Sequence, residues 1–190
     1  MKKIFGLGLI LMLVVGITGV ATYAYFTDNA NSSGNSFVSG TLELKTDNLD
    51  GVTQTLYATG MSPGATVGSS TITLKNVGTV NGTNLDIVFS YTESDGNPNI
   101  VDKTADEVAA MIEVVTLDYG GSSLLGSIGA FNGNGYKDVY DLKNSTFTGL
   151  SGINASTTKN FDISVRLRSE TENDFQADGI TITMTFTLRQ

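Results

Sequence analysis

Apolar and polar residues alternate one by one in several stretches of the chain, most clearly near its C-terminal end. Two such stretches have apolar side chains at Phe161, Ile163, Val165 and Leu167, and at Ile182, Met184, Phe186 and Leu188. Successive side chains of a strand point to opposite faces, so a period of two indicates a half-buried strand. The pattern therefore predicts two long antiparallel strands, each with one apolar and one wet face.

Shorter runs of the same alternation predict strands in the first two thirds of the chain. They are expected around Leu42 and Leu44, across 52–57, across 71–75, around Leu85, Ile87 and Phe89, and across 112–117. Turn residues at 62–64, 76–78 and 95–98 separate them. Strands at this spacing are typical of an all-β fold with minor α content, here a jelly-roll-like antiparallel β-sandwich.

One or two short helices are expected in the loops of this sandwich. Thr104 and Glu107 have the spacing of a capping box, which predicts a helix from Thr104 to about Met111. A second short helix is expected to end at 141–143, whereas 122–128 is ambiguous.

The N-terminal segment has the pattern of an export signal. Lys2 and Lys3 precede an uncharged run over 4–20, and Thr22 and Ala24 have the small-residue spacing of a cleavage site. We therefore expect a signal peptide at 1–24, cleavage between Ala24 and Tyr25, an extension at 25–36 and a β-sandwich at 37–190. The alternative is a retained helix, since the apolar length is close to the roughly 20 residues that span a bilayer. Residues 7–25 would then form the filament core of a pilin.

Charge and composition exclude several classes of function. The chain has 190 residues and a formal charge of −8; without Lys2 and Lys3, nine basic side chains face nineteen acidic ones, a charge of −10. No basic cluster remains, so nucleic acid is not an expected partner. Cysteine and histidine are absent, which removes disulfides, histidine-based triads and zinc motifs such as HExxH. A secreted hydrolase remains only as an alternative without a motif to support it.

The stretch 130–141 has the oxygen spacing of a calcium loop. Asn132, Asn134, Asp138 and Asp141 fall on positions 3, 5, 9 and 12 of an EF-hand-type loop, with Gly135 at the turn position. The loop departs from that pattern at its two ends, because Ala130 replaces the first aspartate and Asp141 the final glutamate. The alternative is an Asn-Gly turn that leads into a helix cap. Calcium is the one candidate cofactor.

Four Asn-x-Ser/Thr sequons are candidate N-glycosylation sites. They begin at Asn31, Asn81, Asn144 and Asn154. In an exported protein such sequons indicate polar, exposed positions.

Several short patches resemble a known family. The most specific are ATYAYFTD at 21–28, GNSF at 34–37 and SGTLEL at 39–44; looser ones lie at 61–64, 71–78, 173–176 and 181–190. They resemble the TasA/camelysin family, whose members carry a specialised signal peptide of the SipW type. The resemblance implies a secreted jelly-roll-like sandwich that polymerises into extracellular fibres. The metalloprotease label of camelysin is not carried over, because the chain has no HExxH.

The extension at 25–36 is expected to join subunits. Its residues span about 40 Å when extended, at roughly 3.3 Å per residue, and an open sheet edge accepts an added strand. Tyr25, Phe26 and Phe37 would act as apolar anchors. The expected partners are other copies of the chain, and signal peptidase during export; the membrane is a partner only through the uncleaved signal.

Overall fold

The computed structural model describes residues 42–46, 49–50, 53–95, 103–175 and 178–190. All of them belong to one compact unit, which covers Gly40–Gln190. None of the helices in these ranges is long and apolar enough to cross a membrane.

The described residues are mainly strands. In chain order the elements are β1 (Leu44–Thr46), β2 (Leu49–Asp50), β3 (Thr53–Ala58), β4 (Thr66–Asn76), β5 (Asn84–Asp95), α1 (Ala105–Met111), β6 (Ile112–Tyr119), β7 (Ser122–Ser123), α2 (Val139–Asn144), β8 (Phe147–Ser151), β9 (Thr158–Leu167) and β10 (Asp178–Arg189). Single 3-10 turns occur at Leu125–Ser127 and Asn173–Phe175.

These strands form two antiparallel sheets. One has the order β3-β10-β5-β8, and the other has β4-β9-β6-β7 extended beyond β4 by β1 and β2. The chain therefore crosses between the sheets at most connections, and strands distant in sequence become neighbours, as in a jelly roll. The predicted all-β sandwich is confirmed.

The apolar faces of the predicted strands form the core between the two sheets. Ile182, Met184 and Phe186 on β10 are at most 1% exposed. The rings of Phe161 on β9 and Phe186 on β10 meet edge to face across the sheets, with centroids 5.2 Å apart. Such an aromatic pair adds about 0.5–1.5 kcal/mol beyond its buried area.

The predicted capping box of α1 is also confirmed. The Thr104 hydroxyl accepts from the Glu107 main-chain N–H, and the Glu107 carboxylate accepts from the Thr104 N–H at 3.0 Å. Two otherwise unpaired donors of the first turn are thereby satisfied. The helix buries Val108 and Ala109.

The strand bounds differ from the prediction at several places. The first strand begins at Leu44 and does not include Leu42, the strand predicted at 71–75 begins at Thr66, and β8 was not predicted at all. Within β4 the pairing register with β9 shifts between Gly68 and Thr71. This shift breaks the alternation on which the prediction depended. The ambiguous stretch 122–128 divides into β7 and a 3-10 turn.

Candidate functional site

The 130–141 loop lies between the 3-10 turn at Leu125–Ser127 and α2, and it is fixed to the sandwich through β6. The N–H of Val114 donates to the main-chain oxygen of Lys137 at 2.7 Å. The Lys137 ammonium donates to the main-chain oxygens of Ile128 and Gly129. The loop is thus held at its C-terminal half by main-chain contacts with a central part of the fold.

The first half of the loop is a pair of asparagine turns. The side-chain oxygen of Asn132 accepts from the N–H of Asn134 at 3.1 Å, and that of Asn134 accepts from the N–H of Tyr136 at 2.9 Å. Gly135 has a φ of 84°, in the left-handed region that a calcium loop also requires at its turn position.

Two fully buried carboxylates close the loop. Asp138 is the N-cap of α2 and accepts from the N–H of Asp141 at 2.9 Å with one oxygen. Its second oxygen, Oδ2, accepts from the side-chain amides of Asn132 and Asn134, both at 2.7 Å. Asp141 Oδ1 accepts from the main-chain N–H groups of Phe131 at 2.7 Å and Asn132 at 3.3 Å.

The structure therefore brings together all four residues that the sequence selected as candidate ligands. Asn132 contacts both carboxylates, which places Asp138 and Asp141 around the same residue. The Oδ2 atom of Asp141 is buried and has no hydrogen-bond partner. The second helix, predicted to end at 141–143, covers Val139–Asn144 and has Asp141 in its first turn.

A charged cluster next to this loop was not foreseen from the sequence. The guanidinium of Arg168 lies 3.9 Å from the centre of the Tyr136 ring and donates to Glu170 at 2.9 Å. The Tyr136 hydroxyl donates to the same carboxylate oxygen at 2.9 Å. Hydrogen bonds from its own main-chain N–H and from Tyr136 hold the pKa of Glu170 below its ordinary value.

The cluster lines a surface pocket together with Glu113 and Arg166. Arg166 donates to Glu113 at 2.6 Å, and Arg168 is paired with Glu170. Because each arginine already forms an ion pair with a carboxylate, the residues that line this pocket form a surface ion-pair network. Arg166 and Glu113 lie 53 residues apart in sequence, and Tyr136 and Glu170 lie 34 apart, so no local spacing could have indicated that these elements meet.

The edges of the two sheets are the other candidate site, because an edge strand exposes unpaired main-chain groups. Strands β2 and β7 have two residues each, and the pairing of β8 with β5 shifts register between Leu85 and Ile87. In contrast, β3 pairs with β10 over six residues without a shift. Within the described ranges β3 has β10 as its one strand partner. Tyr57 on β3 is 65% exposed.

Part of the predicted site lies outside the described residues. This applies to the cleavage site Ala24 and Tyr25, the anchors Phe26 and Phe37, and the sequon at Asn31. The three sequon residues Asn81, Asn144 and Asn154 are exposed. The Asn144 amide donates to the main-chain oxygen of Tyr140 at 2.8 Å.

The fold is an antiparallel jelly-roll sandwich. A comparison of the sequence with protein families identifies the family to which the chain belongs. The camelysin metallo-endopeptidase family matches residues 1–122 of the 190. The chain belongs to this family, which includes TasA and whose proteins are typically extracellular or on the cell surface. A comparison with curated proteins finds no match.

The peptidase activity in the family's description has no counterpart in the side chains described above. The chain contains neither histidine nor cysteine. Over the ranges that the structure describes, no group of three acidic, histidine or cysteine side chains is placed to hold a metal ion. Membership in the family fits a secreted structural role.

Proposed function

We propose that this chain is a structural subunit of an extracellular filament. Each subunit would add its extension, residues 25–36, as a strand to the β3 edge of its neighbour. The observation that carries this proposal is the contrast between β3 and the other three edges of the described sandwich. Family membership supports the secreted structural part of it.

Within the described ranges, the β3 edge is suited to strand addition because β3 is six residues long and pairs with β10 without a bulge. Natural sandwiches protect their edges with very short strands or with bulges, and β2, β7 and β8 have these features. Strand β3 is regular along its whole length. An incoming strand would gain main-chain hydrogen bonds along this edge, as in β-augmentation.

The extension is long enough to pair with the whole of β3 and still reach from one subunit to the next. Six residues of β3 extend over about 20 Å, and the twelve residues of the extension reach about 40 Å. Half of the extension would pair with β3, and the rest would cross from one subunit to the next. Leu56 packs against the core, whereas Thr55 and Tyr57 point outward, so the edge has an apolar and a polar side for an incoming strand to follow.

This mode of joining makes an open polymer. The extension of one subunit contacts a different surface of the next, so the interface is head-to-tail and need not close. Cleavage between Ala24 and Tyr25 would release the extension from the membrane. Export and processing by signal peptidase would therefore control the start of assembly.

The test compares residues 25–190 with residues 37–190 by sedimentation and electron microscopy. We expect filaments from the longer protein and a folded monomer from the shorter one. Excess synthetic peptide 25–36 should shorten the filaments of 25–190 by occupying the β3 edge, whereas a peptide of scrambled sequence should not. Equal filament formation by both proteins would contradict the donor role of the extension.

The pilin alternative is separated by the N-terminus of the mature protein. A retained helix over 7–25 predicts that sequencing begins near Leu7, and the donor-strand proposal predicts Tyr25. Finding Leu7 at the start of the filament protein would replace strand addition by helix packing as the basis of assembly.

The peptidase alternative follows from the family description alone. Without histidine or cysteine, a zinc site in this chain would have to use carboxylate and main-chain oxygens. We expect residues 25–190 to leave casein uncleaved both with added zinc and with chelator. Chelator-sensitive cleavage by a homogeneous preparation would assign the chain an enzymatic role.

A further inference from the structure

We propose that the 130–141 loop binds one divalent cation, and the all-oxygen character of its side chains points to calcium. The charged ligands would be the carboxylates of Asp138 and Asp141. The side-chain oxygens of Asn132 and Asn134 would complete the site from the opposite half of the loop. The inference is independent of filament assembly.

The observation that carries it is the Oδ2 atom of Asp141. This oxygen is buried and has no hydrogen-bond partner, although the other oxygen of the same carboxylate accepts from two N–H groups. Leaving a buried polar atom unpaired costs roughly 1–3 kcal/mol, and more when the group is charged. A cation bound at this oxygen would remove that cost.

The charges around the loop strengthen the argument. Asp138 and Asp141 are both 0% exposed, and in the described part of the chain no lysine or arginine forms an ion pair with either of them. Lys137, the nearest in sequence, directs its ammonium to main-chain oxygens of 128 and 129. Buried charges are normally paired or coordinate a metal, and one divalent cation would neutralise both carboxylates at once.

The ligand set selects among cations. Histidine and cysteine are absent, which disfavours zinc, and carboxylate and amide oxygens are the ligands of calcium. Asn132 and Asn134 now donate their amides to Asp138 Oδ2. On binding, the ion would replace these amide donors at Asp138, and the two side-chain oxygens would turn toward it from the N–H groups of Asn134 and Tyr136 that they now accept from. Two carboxylates among neutral oxygens suit a dissociation constant on the order of 10⁻⁴–10⁻³ M, as in extracellular calcium modules.

The alternative is that hydrogen bonds alone stabilise the loop. Asp138 would then act as a helix cap and Asp141 as an acceptor for the first turn of the loop, with no ion. The two explanations differ in what Asp141→Asn does. Asparagine keeps a side-chain oxygen for the N–H groups of Phe131 and Asn132 but removes the charge that a cation requires.

The experiment measures thermal unfolding and calorimetric calcium binding of the protein expressed from its complete sequence. It compares the parent, Asp141→Asn, and Asp174→Asn, which removes an exposed carboxylate away from the loop. The three proteins are measured in excess chelator, in 10 mM calcium and in 10 mM magnesium. Asn134→Ala, at an exposed position of the loop, is a second variant in case Asp141→Asn does not fold.

The proposal predicts one calcium per chain and a Tm higher by about 3–6 °C in 10 mM calcium than in chelator, for a dissociation constant of about 1 mM. Asp174→Asn should gain as much as the parent, Asp141→Asn and Asn134→Ala much less, and magnesium should have a smaller effect than calcium. In chelator, Asp141→Asn should be at least as stable as the parent. The proposal is overturned if calcium leaves the Tm of the parent unchanged, or if Asp141→Asn gains as much as the parent.

Discussion

The hydroxyl of Tyr119, at the end of β6, donates a hydrogen bond of 2.8 Å to the main-chain oxygen of Ser151, at the end of β8. These strands belong to opposite sheets, so the bond joins the two layers of the sandwich. Tyr119 is 4% exposed, and burial raises its pKa to about 12 from an ordinary value of 10.0. The Lys159 ammonium lies 5.2 Å from the centre of the same ring.

The buried phenol of Tyr119 predicts a loss of stability at alkaline pH. Because the folded-state pKa of Tyr119 is raised, the folded protein retains the phenolic proton above pH 10 while the unfolded chain releases it. The contribution is fully present below pH 10 and is lost as the pH rises toward about 12. Burial, followed by the hydrogen bond to Asp106, also raises the pKa of Tyr91, which acts in the same direction.

The measurement is the Tm as a function of pH. Between pH 10 and 12 the Tm of Tyr119→Phe should fall less steeply than that of the parent. Tyr57→Phe, at a 65% exposed position, should follow the parent. Identical slopes for Tyr119→Phe and the parent would show that this phenol does not contribute to the alkaline transition.

Gly68 provides a second prediction, because it lies where β4 shifts register against β9. Its φ is 100°, and a β-carbon at this position would lie 2.5 Å from the main-chain oxygen of Ile163. Gly68→Ala should therefore lower the free energy of unfolding by about 1–3 kcal/mol. The control Gly126→Ala has open space around its new methyl group and should have little effect. Equal denaturation midpoints for the two variants would contradict the steric explanation.

Gly68 also shows which part of the fold could not be predicted from the sequence. Strands β9 and β10 were predicted because their side chains alternate without interruption, and alternation is what burial between two sheets requires. The first part of β4 was not predicted, because its bulge depends on the close approach of Gly68 to a strand nearly 100 residues later in the chain. Such a contact leaves no periodic signal.

In the candidate sites, too, local spacing could be predicted from the sequence, whereas features that depend on tertiary contacts could not. The calcium-type spacing of Asn132, Asn134, Asp138 and Asp141 is local, and the structure does bring these residues together. The unpartnered oxygen of Asp141 could not be inferred, because it depends on how the loop is buried. Likewise, only the pairing of strands reveals that β3 is a regular edge and β8 is not.

Asn76 provides a third prediction, because its side chain forms hydrogen bonds with the main-chain groups of a buried turn. It is 0% exposed, its amide donates to the main-chain oxygens of Val80 and Ile153 at 2.9 Å, and its oxygen accepts from the N–H of Gly78. Asn76→Ala would leave these groups without their partner. At roughly 1–3 kcal/mol for each buried group left unpaired, the variant should lose at least about 2 kcal/mol of stability.

Chemical denaturation measures this loss, and Asn81→Ala is the matched control. Asn81 is exposed, and its side-chain oxygen accepts from the N–H of Ala155. Its replacement should cost less than about 1 kcal/mol. A similar cost for both asparagines would mean that the buried turn re-pairs its main-chain groups by itself.

The β3 edge provides the last prediction, which separates strand addition from general association through apolar surface. A lysine on an edge strand opposes the docking of another strand, because its charge must stay in water. Tyr57→Lys places that charge on β3, whereas Val88→Lys places it at a 61% exposed position of β5, an interior strand of the same sheet. Both variants lose an exposed apolar side chain and gain one charge, so they differ mainly in distance from the edge. In electron micrographs of residues 25–190, Tyr57→Lys should give few or short filaments and Val88→Lys should resemble the parent. If Val88→Lys is the more impaired of the two, subunits join through the face of this sheet and the β3 edge is not the acceptor.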